Sequence, residues 1–203
     1  MRQKILSVIL GTSFLLAGTG AGYASDTKQR VGNRTSQPIG HYEYCLANLG
    51  DCSIRAFTTK PVTLTRKRWK EMLEANNFAN STIEPVTDFE LYGVEEFWTL
   101  PKSFGDCEDY VLMKRQYLMS LGWPASSLLA TVVLQPNGEG HAVLTVRTDR
   151  ADYVLDNLRD QILSWNETDY KFLKRVSARH SGHWEDILDS RLSVASIKRP
   201  KGS

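Results

Sequence analysis

Cys107, His141 and Asp156 are the residues of this 203-residue chain whose types and order could carry nucleophilic chemistry. A cysteine thiolate attacks an acyl carbon, a histidine takes and returns the proton, and a carboxylate orients the imidazole and stabilises its charged form. The chain has three cysteines, Cys45, Cys52 and Cys107. Cys45 and Cys52 stand seven positions apart across Asn48, Gly50 and Asp51, where the chain can turn, and this spacing suits a small disulfide loop in an oxidising compartment. Cys107 is then the odd thiol, and an unpaired thiol in an exported protein is a candidate nucleophile. A buried, inert cysteine is the plain alternative.

The spacing predicts a helix from Asp106 onward. Cys107, Tyr110, Val111, Lys114, Leu118 and Leu121 recur at three- and four-residue intervals, and Gly122 with Pro124 ends the run. At a helix start the free N–H groups and the dipole favour a thiolate, and the Cys107 N–H can serve as an oxyanion donor. The Trp98 indole N–H is a second candidate donor, against an ordinary core role for that side chain. Downstream, Leu128 to Leu134 reads as an apolar strand, Pro136-Asn137-Gly138 as a turn, and His141 to Arg147 as a strand. Asp149-Arg150 turns the chain and Tyr153 to Asp156 returns. With those two as the turn residues, His141 faces Leu158 and Val143 faces Asp156. His141 and Asp156 are then diagonal neighbours on one face, roughly 7–8 Å apart at the backbone. A three-residue turn puts them on opposite faces unless a bulge corrects it.

Upstream, Thr65 reads as the N-cap of a helix from Arg66 to about Thr82, with Trp69, Met72, Leu73, Asn76 and Ala79 along one core-facing stripe. Pro85 stops it. Tyr92 to Leu100 reads as a loop or short strand before Pro101. Helices first and an antiparallel sheet afterwards give an α+β class.

Apolar residues at 41% and charged residues at 24% are ordinary for one globular domain. Residues 1–24 have the layout of a signal peptide: Arg2 and Lys4, an apolar Ile5 to Leu16, then small residues to Gly22-Tyr23-Ala24. An uncleaved anchor is the alternative, although four glycines interrupt a stretch that should be about 20 residues long. The 25 basic residues lose Arg2 and Lys4 on cleavage and then match the 23 acidic ones, so bulk charge does not favour nucleic acid. The boundaries expected are a leader over 1–24, a flexible polar arm over 25–37, and one domain over 38–203. Of the other histidines, His41 lies near the mature N-terminus, and His180 and His183 lie in a polar stretch with no spaced acidic partner. A metal held by that pair is weighed against a solvated surface, and surface is the reading taken.

Gly105-Asp106-Cys107-Glu108-Asp109-Tyr110, Gly140-His141-Ala142-Val143-Leu144 and Val154-Leu155-Asp156-Asn157 resemble, in order and spacing, the bacterial transglutaminase-like cysteine proteinases. The resemblance runs from about Tyr92 to Trp165, with weaker likeness around Tyr42-Glu43-Tyr44-Cys45 and Thr65–Trp69. It implies a papain-like, transglutaminase-type α+β fold and a periplasmic cysteine endopeptidase with Cys107, His141 and Asp156 as its triad. The LapG-type branch it resembles implies a calcium-dependent protease that clips large surface adhesins near paired alanines. That branch is held by an inner-membrane receptor sensing cyclic di-GMP. Its calcium ligands map here to Asp106 and Glu108. Two carboxylates beside a thiolate oppose its ionisation unless a hard cation offsets them. The alternative is that Asp106 caps the helix while Glu108 and Asp109 complement its positive end. Other classes remain: an envelope amidase or transamidase acting on peptidoglycan or protein glutamine, and a non-catalytic binding module.

Overall fold

The computed structural model describes residues 26–189 and 191; the leader over 1–24 lies outside them. Among the described residues, five helices precede most of the sheet. They are α1 (Ile39–Ala47), α2 (Leu49–Cys52), α3 (Arg66–Thr82), α4 (Asp88–Tyr92) and α5 (Cys107–Ser120). No helix of the described residues is long and apolar enough to cross a membrane.

α3 has the expected bounds because Thr65 stands at its N-cap in extended backbone and its side chain accepts from the Arg68 N–H. Met72, Ala75, Asn76 and Ala79 are buried along its inner face. α5 is buried through Tyr110, Val111, Leu112 and Leu118. α4 is an element the sequence reading did not anticipate. Its Thr87 and Glu90 form a reciprocal capping box, and Gly93 ends it in the left-handed region at φ 73°.

The strands are β1 (Val31–Thr35), β4 (Leu128–Leu134), β5 (Gly140–Arg147), β6 (Asp152–Leu155), β7 (Leu163–Ser164), β8 (Lys171–Ser177) and β9 (His180–Ile187). They form one antiparallel sheet in the order β1-β9-β8-β4-β5-β6-β7. A separate parallel pair joins β2 (Glu84–Pro85) to β3 (Phe104–Gly105), immediately before Asp106. Alternation along β5 sends Ala142, Leu144 and Val146 into the core shared with α3 and α5. Val143 joins a second core with Val154, Trp165, Tyr170 and Phe172. Met72, Leu118, Leu128, Leu144 and Leu155 are essentially fully buried, and each such side chain stabilises the fold by about 1.5–3 kcal/mol.

One boundary is corrected. The polar arm over 25–37 is not free: Val31–Thr35 is the edge strand β1, paired with β9. Its polarity suited a loop, but an edge strand is held by main-chain bonds and needs no apolar side chains. Gln29 anchors its start, with its N–H on Asp152 and its side-chain oxygen accepting from Arg175.

Candidate active site

The β5–β6 hairpin takes the two-residue-turn register. Leu144 pairs with Leu155, Thr145 with Val154, and Arg147 with Asp152. Asp149 and Arg150 lie between Thr148 and Ala151, whose backbones bond at 3.1 Å. That register puts His141 and Asp156 on the face of Val143 and Val154. Their side chains meet, with His141 Nε2 2.9 Å from Asp156 Oδ1. Both are buried, at 6% and 2% exposure. Asp156 also accepts from the Tyr170 hydroxyl at 2.6 Å and from the Leu158 N–H at 3.0 Å. Burial alone would raise its pKa, but these three donors hold the carboxyl below its ordinary value. With Nε2 turned to Asp156, Nδ1 is the ring nitrogen left for a second partner.

Cys107 is the free cysteine; Cys45 and Cys52 are joined in a disulfide. α5 delivers Cys107 into a cavity of about 390 Å³ that His141, Ala142, Trp98, Glu95, Glu96 and Lys174 also line. The Ala142 N–H hydrogen-bonds the sulfur, so the nucleophile candidate touches the residue next to His141. The Trp98 indole N–H is buried and has no hydrogen-bond partner among the described residues.

The acidic surroundings are denser than the sequence suggested. Asp88, Asp106 and Asp109 offer carboxylate oxygens all within 4.8 Å of one another, and Asp106, Cys107 and Glu108 form a second such group. Asp106 stands at the α5 N-cap but makes no side-chain cap bond, so the capping alternative does not hold for it. Glu108 bonds Asp106 and accepts from Cys107 Sγ at 3.1 Å. Burial first, with repulsion from Asp106 adding to it, pushes Glu108 up to about 9, Asp109 to about 7 and Asp88 to about 6, against the lowering hydrogen bonds from Cys107, Thr99 and Phe97 respectively. Burial, Glu108 and Asp106 push the Cys107 thiol well above its ordinary value. At Cys107 these effects outweigh the helix dipole invoked from sequence. Asp88 Oδ1, Asp106 Oδ1 and Asp109 Oδ2 are buried with no hydrogen-bond partner. Clustered, orphaned carboxylate oxygens fit a hard cation such as calcium.

The model of the family described as bacterial transglutaminase-like cysteine proteinase matches residues 31–192. The chain belongs to that family. It is a cysteine peptidase, with the mixed helix and antiparallel-sheet fold described above, and its substrates are proteins or peptides. Among solved structures it is similar to Legionella pneumophila LapG, at 25% identity over 58% of this chain and 68% of that one, TM-score 0.48. It is likewise similar to calcium-bound LapG from that organism, at 25% identity over the same shares, TM-score 0.49. For EGTA-treated LapG the values are 24%, 64% of this chain, 74% of that one, and 0.48. No curated protein gives a significant match.

His41, placed near the N-terminus by sequence, is buried in α1. There its Nδ1 faces Gln37 Nε2 at 2.6 Å and accepts from Trp184 Nε1 at 3.2 Å. His180 and His183 lie on β9 with rings stacked at 3.9 Å, both partly exposed. Sequence reasoning missed Tyr170 and Asp88. Tyr170 sits 14 positions past Asp156 with no motif to mark it. Asp88 follows the Thr87-x-x-Glu90 capping signal, which was legible.

Proposed function

We propose that this peptidase is an endopeptidase of the cell envelope that works through a Cys107–His141–Asp156 triad. The carrying observation is the 2.9 Å contact of His141 Nε2 with Asp156, in a wall of the cavity that holds Cys107. His141 Nδ1 takes the thiol proton, and the sulfur attacks the scissile carbonyl carbon. His141 then returns the proton to the departing amine, leaving a thioester that water hydrolyses. Asp156, fixed by Tyr170, holds the ring and stabilises its charged form. The Cys107 N–H and the Trp98 indole N–H are the donors for the developing oxyanion.

Asp88, Asp106, Glu108 and Asp109 would hold calcium. Bound there, it supplies positive charge that offsets the carboxylates now disfavouring the thiolate. The leader-like residues 1–24 and the Cys45–Cys52 disulfide support export to an oxidising periplasm. The family resemblance extends the reading to a large surface adhesin as substrate and an inner-membrane cyclic di-GMP receptor as partner.

The test is alkylation of Cys107 by iodoacetamide near neutral pH, run beside peptide-bond cleavage, for wild type, Cys107→Ser and His141→Ala. Wild type with calcium should alkylate faster than a model thiol and cleave, and both variants should lose cleavage. Cys107 no more reactive than a model thiol, or cleavage surviving in Cys107→Ser, would overturn the assignment.

A further inference from the structure

One wall of the catalytic cavity comes from Glu95, Glu96 and Trp98, in a stretch with no helix or strand to hold it. Its main-chain anchors are two amides flanking Trp98. The Phe97 N–H donates to Asp88 Oδ2, and the Thr99 N–H donates to Asp109 Oδ1 at 2.8 Å. The second oxygens of those same carboxylates, Asp88 Oδ1 and Asp109 Oδ2, are the buried, unpartnered ones. One carboxylate oxygen from each of Asp88, Asp106 and Asp109 lies within 4.8 Å of the others. Asp88 is 1% exposed and Asp109 is fully buried, so neither can turn to water for compensation.

We infer that Asp88 and Asp109 couple cation binding to the position of this wall, each giving one oxygen to the strap around Trp98 and the other to the cation. The inference rests on the cation part of the reading above and goes beyond it by naming what the ion controls. Without a counter-charge, three carboxylates this close repel, and relief comes from proton uptake or from a turn of a side chain. Any such turn carries the Phe97 or Thr99 amide with it and shifts Trp98 against His41, whose ring meets the indole edge-on at 5.0 Å. A bound cation fixes both carboxylates and keeps both amide bonds charge-assisted, the stronger kind. Asp88 and Asp109 are thus positioning residues: they act on the cleft through Trp98 and need no contact with substrate.

The experiment uses the full chain with Cys107→Ala, so that turnover plays no part. Calcium chloride is compared with EGTA by amide hydrogen exchange at Phe97 and Thr99 and by the indole N–H signal assigned through Trp98→Phe. Calcium should slow exchange at both amides about tenfold, within the usual range for coupled sites, move the Trp98 signal, and leave β4 and β5 amides unchanged. Asp88→Asn, which keeps an acceptor for Phe97, should need about tenfold more calcium for the same protection. Calorimetric calcium binding with unchanged exchange at Phe97 and Thr99 overturns the coupling alone. No calcium binding overturns the coupling and the cation site together, while the triad stands or falls on the separate alkylation and cleavage assay.

Discussion

Replacing Tyr170 by Phe removes one hydroxyl and tests what holds Asp156. The hydroxyl is 2.6 Å from Asp156 Oδ2, in a pocket where Tyr170 and Asp156 are 4% and 2% exposed. A hydrogen bond to a charged buried group is worth about 1.5–3 kcal/mol, and water cannot readily replace it here. Stability at pH 7 should therefore fall by roughly that amount. The pH dependence carries the proof. Asp156 titrates below its ordinary 3.8 in the folded chain, so its contribution is present above 3.8 and is lost as pH falls through the folded value. Tyr170→Phe moves the folded value back toward 3.8. The gap between variant and wild type should then be full at neutral pH and close as the pH drops below 3.8. Urea unfolding of both proteins at pH 7 and pH 3 measures it. With the imidazole less firmly oriented, kcat for peptide cleavage should also fall about tenfold with KM unchanged. An equal stability gap at both pH values would show that the hydroxyl does not act through the Asp156 charge.

Two further outcomes are expected. Lys114 is 1% exposed and burial lowers its pKa to about 7, against attraction from Asp156 and Asp160. Between pH 7 and 10.5 the unfolded chain binds the extra proton at this group, so its contribution to stability should grow by about 4 kcal/mol over that window, read as wild type relative to Lys114→Met because Glu108 titrates there in the opposite sense. Urea midpoints at pH 7 and 9.5 that shift equally in both proteins would sink this reading. Gly105→Ala places a methyl 2.6 Å from Asp109 Oδ2 and 2.8 Å from its Cβ. It should weaken calcium affinity about tenfold and cost about 1–3 kcal/mol of stability; calorimetry giving wild-type affinity would remove Asp109 from the site.

Much of the frame was legible because it is written in local patterns. Thr65 marked α3, the apolar run at Leu128 marked β4, and the Asp149-Arg150 turn set a register that brings His141 to Asp156. The cysteine count separated Cys107 from the disulfide pair. What stayed hidden depends on distance along the chain. β1 is polar because edge pairing uses main chain, so composition argued for a loop. Asp88 and Asp109 lie 21 positions apart and meet only because α4 and α5 fold together at the β2–β3 pair. Tyr170 reaches Asp156 from the approach to β8. No periodicity announces such partners. The balance of forces at Cys107 was also out of reach, since burial and two carboxylates overrule the helix dipole only once their positions are known.

Cys107 rides on a helix, while His141 and Asp156 ride on a hairpin, and one amide, that of Ala142, reaches the sulfur from the hairpin side. The proposed triad is complete only where the two elements dock. A partly compacted chain with native helix and native hairpin but loosened docking would be chemically silent. Activity therefore reads out the tightness of α5 on the sheet. Warming should extinguish turnover before it melts secondary structure.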